Sequence, residues 1–353
     1  MEKIELKRVK DFSLPSGVLS AAVSQDARKA VVGCLHGVFR LDLETGNHEY
    51  LYQHGSYVSS VAWLTGETVV TAGYDGELCW FDLASNAVVR RSKVHDFWSW
   101  DMAVSPDQNL IASVTGQYMA GGYKYEPQPE REPSIRILSA KDGELVRSLS
   151  HVPSVQAVAI SPDNKLVAAG NLMGEVRIYD LVNGSLVSKW TTPDFTSWGI
   201  IKSHCYLGGI FSMKFSSEGD QLLLAGMGPM RDPMAGNGKQ LWQRWKWDGK
   251  NPELIDQTHK GDAGEGLMET LALAPDSSHF LMGGRLRGGD WNAALFDHKS
   301  GDRIASVKTG YRITEAVYHP DGKHVLLAGA KRQPTKKKQG KFQDFGRVEV
   351  YAF

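Results

Sequence analysis

The chain is poor in the features that usually announce a function. It has three cysteines in 353 residues, Cys34, Cys79 and Cys205, an odd number without a C-x-x-C pair. That excludes a disulfide framework and a four-cysteine zinc site, and it fits free thiols in a reducing compartment, so the cytoplasm is expected. Forty Lys and Arg balance 40 Asp and Glu, so no long-range field draws the whole protein to nucleic acid or to an acidic membrane. No window approaches the ~20 apolar residues of a membrane span, and Met1-Glu2-Lys3-Ile4-Glu5-Leu6-Lys7-Arg8 alternates charge with apolar residues rather than forming a secretory leader. H-E-x-x-H, G-x-S-x-G and a Walker loop are all missing. Gly226-Met227-Gly228 lacks the third glycine of a dinucleotide loop. No metal or cofactor set is expected.

What is abundant is glycine and tryptophan, 37 and ten residues, and what recurs is a turn. Ser105-Pro106-Asp107, Ser161-Pro162-Asp163, Ala274-Pro275-Asp276 and His319-Pro320-Asp321 each separate two short apolar segments, with weaker copies at Ser24, Leu64 and Ser216. Proline presets one turn angle and Asp bonds its own backbone, so each tripeptide is a reverse turn between antiparallel strands. The spacing is a unit of about 40 residues with insertions, repeated seven times. A third strand in each unit ends in an aromatic or aliphatic residue and Asp, as at Leu41-Asp42, Phe81-Asp82, Tyr179-Asp180 and Phe296-Asp297, and a fourth follows a glycine turn. Four short antiparallel strands per unit make a propeller blade, giving an all-β, seven-bladed β-propeller. The last unit lacks a fourth strand, and Ile4–Val9 resembles one. The N-terminal strand is therefore expected to complete the C-terminal blade, with residues 1–353 forming one domain.

The pattern is similar to the WD-repeat β-propellers over nearly the whole chain. The second unit carries it best, with His54, Thr71, Asp75 and Phe81-Asp82; His95 with Ser113 and His151 with Tyr179-Asp180 are partial copies. Trp gives way to Leu, Phe or Tyr in several units, and Met173 stands where the hairpin Asp would be. The resemblance implies a structural clamp at His54, His95 and His151 and an interaction platform rather than an enzyme.

Insertions near 115–133, 227–239, 285–291 and 331–341 all fall between strands two and three. By the family's geometry that connection shares a face with the links between blades. Those links carry Tyr57, Trp98 and Trp100, then Phe195 and Trp198, then Tyr311 and Arg312, while the sixth-unit insertion adds Arg285, Arg287 and Trp291. Aromatics and arginine on one face are the composition of binding hot spots, so the expected function is a non-enzymatic scaffold for a peptide or protein partner. Two alternatives use the same region. A small molecule could bind there, with Asp96, Asp101, Asp194 or Asp290 as acid or base and His204-Cys205 as a remote candidate nucleophile. The basic hairpin Lys331, Arg332, Lys336, Lys337, Lys338 and Lys341 could hold phosphates of nucleic acid or of an acidic partner; a solvated loop is the plain reading of the same charges.

Overall fold

The computed structural model describes residues 4–117, 129–192, 194–195, 209–227, 241–247, 251–262, 268–285, 289–337 and 342–353. They form seven four-stranded antiparallel sheets, with no helix among the described residues. Blades 1 to 6 each use four consecutive strands, starting at Val18, Val58, Ser99, Val155, Gly209 and Met268. Blade 7 combines Arg312–Tyr318, His324–Ala330 and Gly346–Ala352 with the N-terminal strand Lys7–Leu14. Closure by the first strand therefore holds, but its bounds differ from the expected Ile4–Val9. Charge alternation marks the start of the segment, whereas burial anchors its end: Leu14 is fully buried in the seam between blades 7 and 1. The pairing skips Val9, which is exposed.

The first strand of each blade touches the first strand of the next all the way round, blade 7 to blade 1 included. These seven strands line a central channel, and the apolar faces of the sheets meet in the seams between blades. The turns between first and second strands are as the repeated tripeptide predicts: the hydroxyls of Ser24, Ser105 and Ser161 donate to Asp26, Asp107 and Asp163 at 2.6 Å. The Asp ending the third strand is also a turn former, Asp180 Oδ1 accepting the N–H groups of Val182 and Asn183 at 2.8 Å.

Every inner strand has a bulge at its second or third residue. The register shifts at Leu19, Ser59, Trp100, Gln156, Phe211, Glu269 and Thr314. A bulge re-aims a side chain, and all seven of these residues line the channel. The repeat thus fixes one channel-facing position per blade independently of what residue occupies it.

Candidate functional site

At the clamp of blade 2, His54 Nε2 lies 2.7 Å from Thr71 Oγ1, and Nδ1 lies 3.0 Å from Asp75 Oδ2. The Tyr52 hydroxyl reaches the same threonine at 2.6 Å and its ring stacks on Phe81 at 4.9 Å, so Phe81, at the position of the motif's Trp, is tied to the clamp through Tyr52. Asp75 Oδ2 also accepts the N–H of Gly55 at 2.7 Å, tying the link to the hairpin. In blade 3 the acid comes from the inserted hairpin: Glu132 accepts from the backbone of Asp96 and Phe97 at 3.0–3.2 Å and faces His95 at 3.8 Å. In blade 4, Asn171 replaces the acid, donating to Val152 O and accepting from Met173 and Glu175. His151 there is buried, which lowers its pKa to about 4. These histidines are structural, as the resemblance implies.

The clamps hold the links in place. Gly76 has φ +73°, and a Cβ there would meet the carbonyl oxygens of His95 and Phe97, so only glycine allows the hairpin to close on the link that carries Phe97 and Trp98. On this platform five aromatic rings converge. Tyr74 stacks on Trp98 at 4.7 Å and on Trp100 at 5.2 Å, Trp98 stacks on Phe97 at 4.9 Å, and Tyr57 meets Tyr74 at 5.9 Å. Trp98 is 38% and Tyr57 44% exposed. Across the channel mouth, Arg312 Nε donates to both oxygens of Glu269 at 2.8 and 2.9 Å. Burial raises the Glu269 carboxyl, with Arg312 and Arg285 opposing. Burial pushes the Tyr74 phenol up to about 12, and Tyr74 lies near enough to feel both Arg312 and Glu269. Tyr74, Trp100, Glu269 and Arg312 line the channel together.

The structure thus brings Tyr57, Trp98, Trp100 and Arg312 together, with Arg285 exposed nearby. Three other expected binding residues are corrected to core positions. Phe195 is fully buried in the seam of blades 4 and 5 beside Ile210. Tyr311 is buried, its hydroxyl donating to Leu327 O at 3.2 Å. Trp291 is buried, edge-on to Phe296, with the Arg303 guanidinium 5.2 Å above its ring. Each precedes a strand, and apolar area is more stable in a seam than in water. Trp198, Arg287, His204, Cys205, Lys338 and Lys341 lie outside the described residues, whereas Lys331, Arg332, Lys336 and Lys337 are exposed. Tyr74 and Glu269 escaped sequence reading; the one available signal was their place, a hairpin residue beside the clamp Asp75 and the second residue of an inner strand.

Below the mouth the channel is a cavity of about 970 Å³. Asp101, Lys214 and Glu315 line it. Asp101 Oδ2 accepts the N–H of Val158 in the next blade at 3.0 Å and Oδ1 that of Met102 at 2.8 Å. Glu315 Oε1 accepts the Thr270 hydroxyl of the preceding blade at 3.0 Å. Burial raises both carboxyls, Glu315 to about 7, against the pull of Lys214. These acids bond neighbouring inner strands to one another, which is a ring-closing role.

Among known families, the WD domain, G-beta repeat matches residues 143–180, from the last strand of blade 3 to the third strand of blade 4. The chain is similar to "Telomerase protein component 1" of Rattus norvegicus, 28% identical over 188 residues, which is 52% of this chain and 6% of that protein. It is also similar to "U3 small nucleolar RNA-associated protein 4 homolog" of Mus musculus, 22% identical over 290 residues, 80% of this chain and 37% of that protein. The human counterpart is 23% identical over 295 residues. The chain spans well under half the length of either kind of relative.

Proposed function

We propose, from the premise that this chain is a WD-repeat β-propeller, that it is an interaction scaffold whose decorated face takes a peptide segment of a protein partner. The observation that carries this is the stack of Phe97, Trp98, Tyr74 and Trp100, open to solvent at Trp98 and Tyr57 and faced by the Arg312–Glu269 pair. Rings already stacked lose little freedom on binding, so their exposed area converts efficiently into affinity. The ion pair at the rim supplies direction to a polar backbone or side chain. The names of the two relatives tie them to telomerase and to a small nucleolar RNA, which favours a partner within a ribonucleoprotein assembly. The buried free thiols of Cys34 and Cys79 suit a reducing compartment such as the cytoplasm.

The test is a crosslinking pull-down with the full chain against folded Trp98→Ala and Tyr57→Ala variants, followed by affinity measurement on the recovered partner. An anchor of this kind is worth about 2 kcal/mol or more, roughly a 30-fold loss. A partner held equally by the wild type and both variants would refute the aromatic face as the binding surface. The small-molecule reading has one supporting observation, the raised carboxyls of Asp101 and Glu315 in the channel. It predicts a ligand whose binding survives Trp98→Ala and is abolished by Glu315→Gln.

A further inference from the structure

The turn of blade 7 departs from its six sisters. In blades 3 and 4 the first turn residue is Ser, whose hydroxyl donates to the turn Asp and accepts the N–H of the sixth residue, Leu110 or Leu166, at 2.9 Å. In blade 7 the first and sixth residues are His319 and His324, and no other of the seven turns has histidine at both. The turn itself is unchanged: His319 N–H donates to His324 O at 2.9 Å, and Gly322 takes the positive φ of +67°. The paired backbone puts both imidazoles on one side, ring centroids 5.7 Å apart.

Between them lies Asp321. Its Oδ1 accepts the N–H groups of Lys323 at 2.8 Å and His324 at 3.0 Å. That fixes the carboxylate and turns Oδ2 towards the rings, 2.7 Å from His324 Nδ1 and 3.8 Å from His319 Nδ1. The three atoms lie within 4.8 Å of one another. His319 Nδ1 is shielded from solvent and makes no hydrogen bond. A polar atom in that state is costly unless something occupies its lone pair or takes its proton. A tetrahedral zinc ion with bonds of about 2.0–2.1 Å needs ligand atoms about 3.3 Å apart, a spacing these distances bracket. Closing to that spacing requires rotation of the partly exposed Asp321 and His324 side chains towards the mostly buried His319.

We propose that His319 Nδ1, Asp321 Oδ2 and His324 Nδ1 form a binding site for a divalent transition cation of the zinc class. Two imidazoles and one carboxylate suit such ions better than magnesium or calcium. Three protein ligands leave a fourth position for water or for a side chain of another molecule. The site lies at the end of the blades opposite the aromatic face, because the turn between first and second strands is at the far end from the links. It is therefore independent of the scaffold reading.

The test uses the full chain stripped with a chelator and titrated with Co²⁺, read by its visible ligand-field bands, then displaced with Zn²⁺. His319→Ser restores the residue of the sister turns, so that variant should keep its circular dichroism and thermal midpoint. His279→Ala, in the blade 6 turn that has one histidine, is the control for adventitious binding. The expectation is one equivalent for the wild type and His279→Ala, with affinity lower by on the order of tenfold or more in His319→Ser and His324→Ala. Absence of a stoichiometric equivalent in the wild type would overturn the site. So would equal binding by wild type, His319→Ser and His324→Ala, which would reduce it to a hydrogen-bonded turn.

Discussion

Glu315 shows how a single side chain can bend the pH profile of the whole ring. Burial in the channel raises its carboxyl from an ordinary 4.5 to about 7; Lys214 and the Thr270 hydroxyl pull it down and the Asp101 carboxylate pushes it up. Between about pH 4.5 and 7 the native chain holds a proton that the unfolded chain has released, so stability falls as pH rises across that window and stays lower above it. Glu315→Gln removes this dependence. Relative to the wild type, the variant should gain stability progressively from pH 4.5 to 7 and keep a constant advantage above, as urea midpoints at pH 5 and pH 8 would show. An equal difference at the two pH values would mean that the carboxyl is not raised. His151 works with the opposite sign: burial lowers it to about 4, so its contribution is lost as pH falls from 6.5 towards 4. The two effects oppose each other between about pH 4.5 and 6.5. Nothing in Ile313-Thr314-Glu315-Ala316 reveals this, because an alternating strand reads as one wet and one dry face whether its wet face meets bulk solvent or a channel.

At the level of the strand, closure rests on where the N-terminal segment is anchored. Lys7–Leu14 pairs with Gly346–Ala352, Arg8 Nη1 meets Glu349 Oε1 at 2.9 Å, and Leu14 is fully buried while Val9 sits in the bulge with 47% exposure. Leu14→Ala should therefore cost about 2–5 kcal/mol, and Val9→Ala within about 0.5 kcal/mol, measured by urea unfolding. Similar costs for the two would show that pairing, not the seam, secures the ring. Deleting residues 1–14 would expose Gly346–Ala352 as an edge, and soluble yield should fall sharply. The fold was legible because turns, glycines and strand-ending Asp recur at a fixed period, and a period survives the loss of individual clamp residues. The ends of the closing strand were not legible: alternation of Ile4 and Leu6 with charged residues marks strand propensity, whereas Leu14 is placed by a seam made of residues from two blades.

The whole molecule has no net charge, so what can bind where is decided by two local clusters of different character, one aromatic at the channel mouth and one basic on the blade 7 hairpin. Tyr57, Trp98, Trp100 and Arg312 were legible as link residues, but the same reasoning also chose Phe195, Tyr311 and Trp291, because a link aromatic enters either the seam or the mouth according to backbone direction that sequence spacing does not encode. Tyr74 and Glu269 join the site only because blades 2, 6 and 7 meet around one channel. Away from these rings, Lys331, Arg332, Lys336 and Lys337 stand exposed on the blade 7 hairpin, Lys337 Nζ lying 5.5 Å from the centre of the Phe342 ring. With positive and negative charge balanced elsewhere, any binding of a polyanion must run through such a local cluster. If RNA is among the partners, its affinity should fall steeply with salt, and changing these four cations to Gln should flatten the slope of log K against log salt by roughly 0.7 for each phosphate no longer neutralised. Trp98→Ala should leave that slope untouched, since stacking releases no counterions. A single-stranded RNA oligomer titrated at several salt concentrations separates the outcomes. An unchanged slope in the four-Gln variant would assign the charges to solvation alone, and a slope that changes with Trp98 instead would move nucleic-acid binding to the aromatic face.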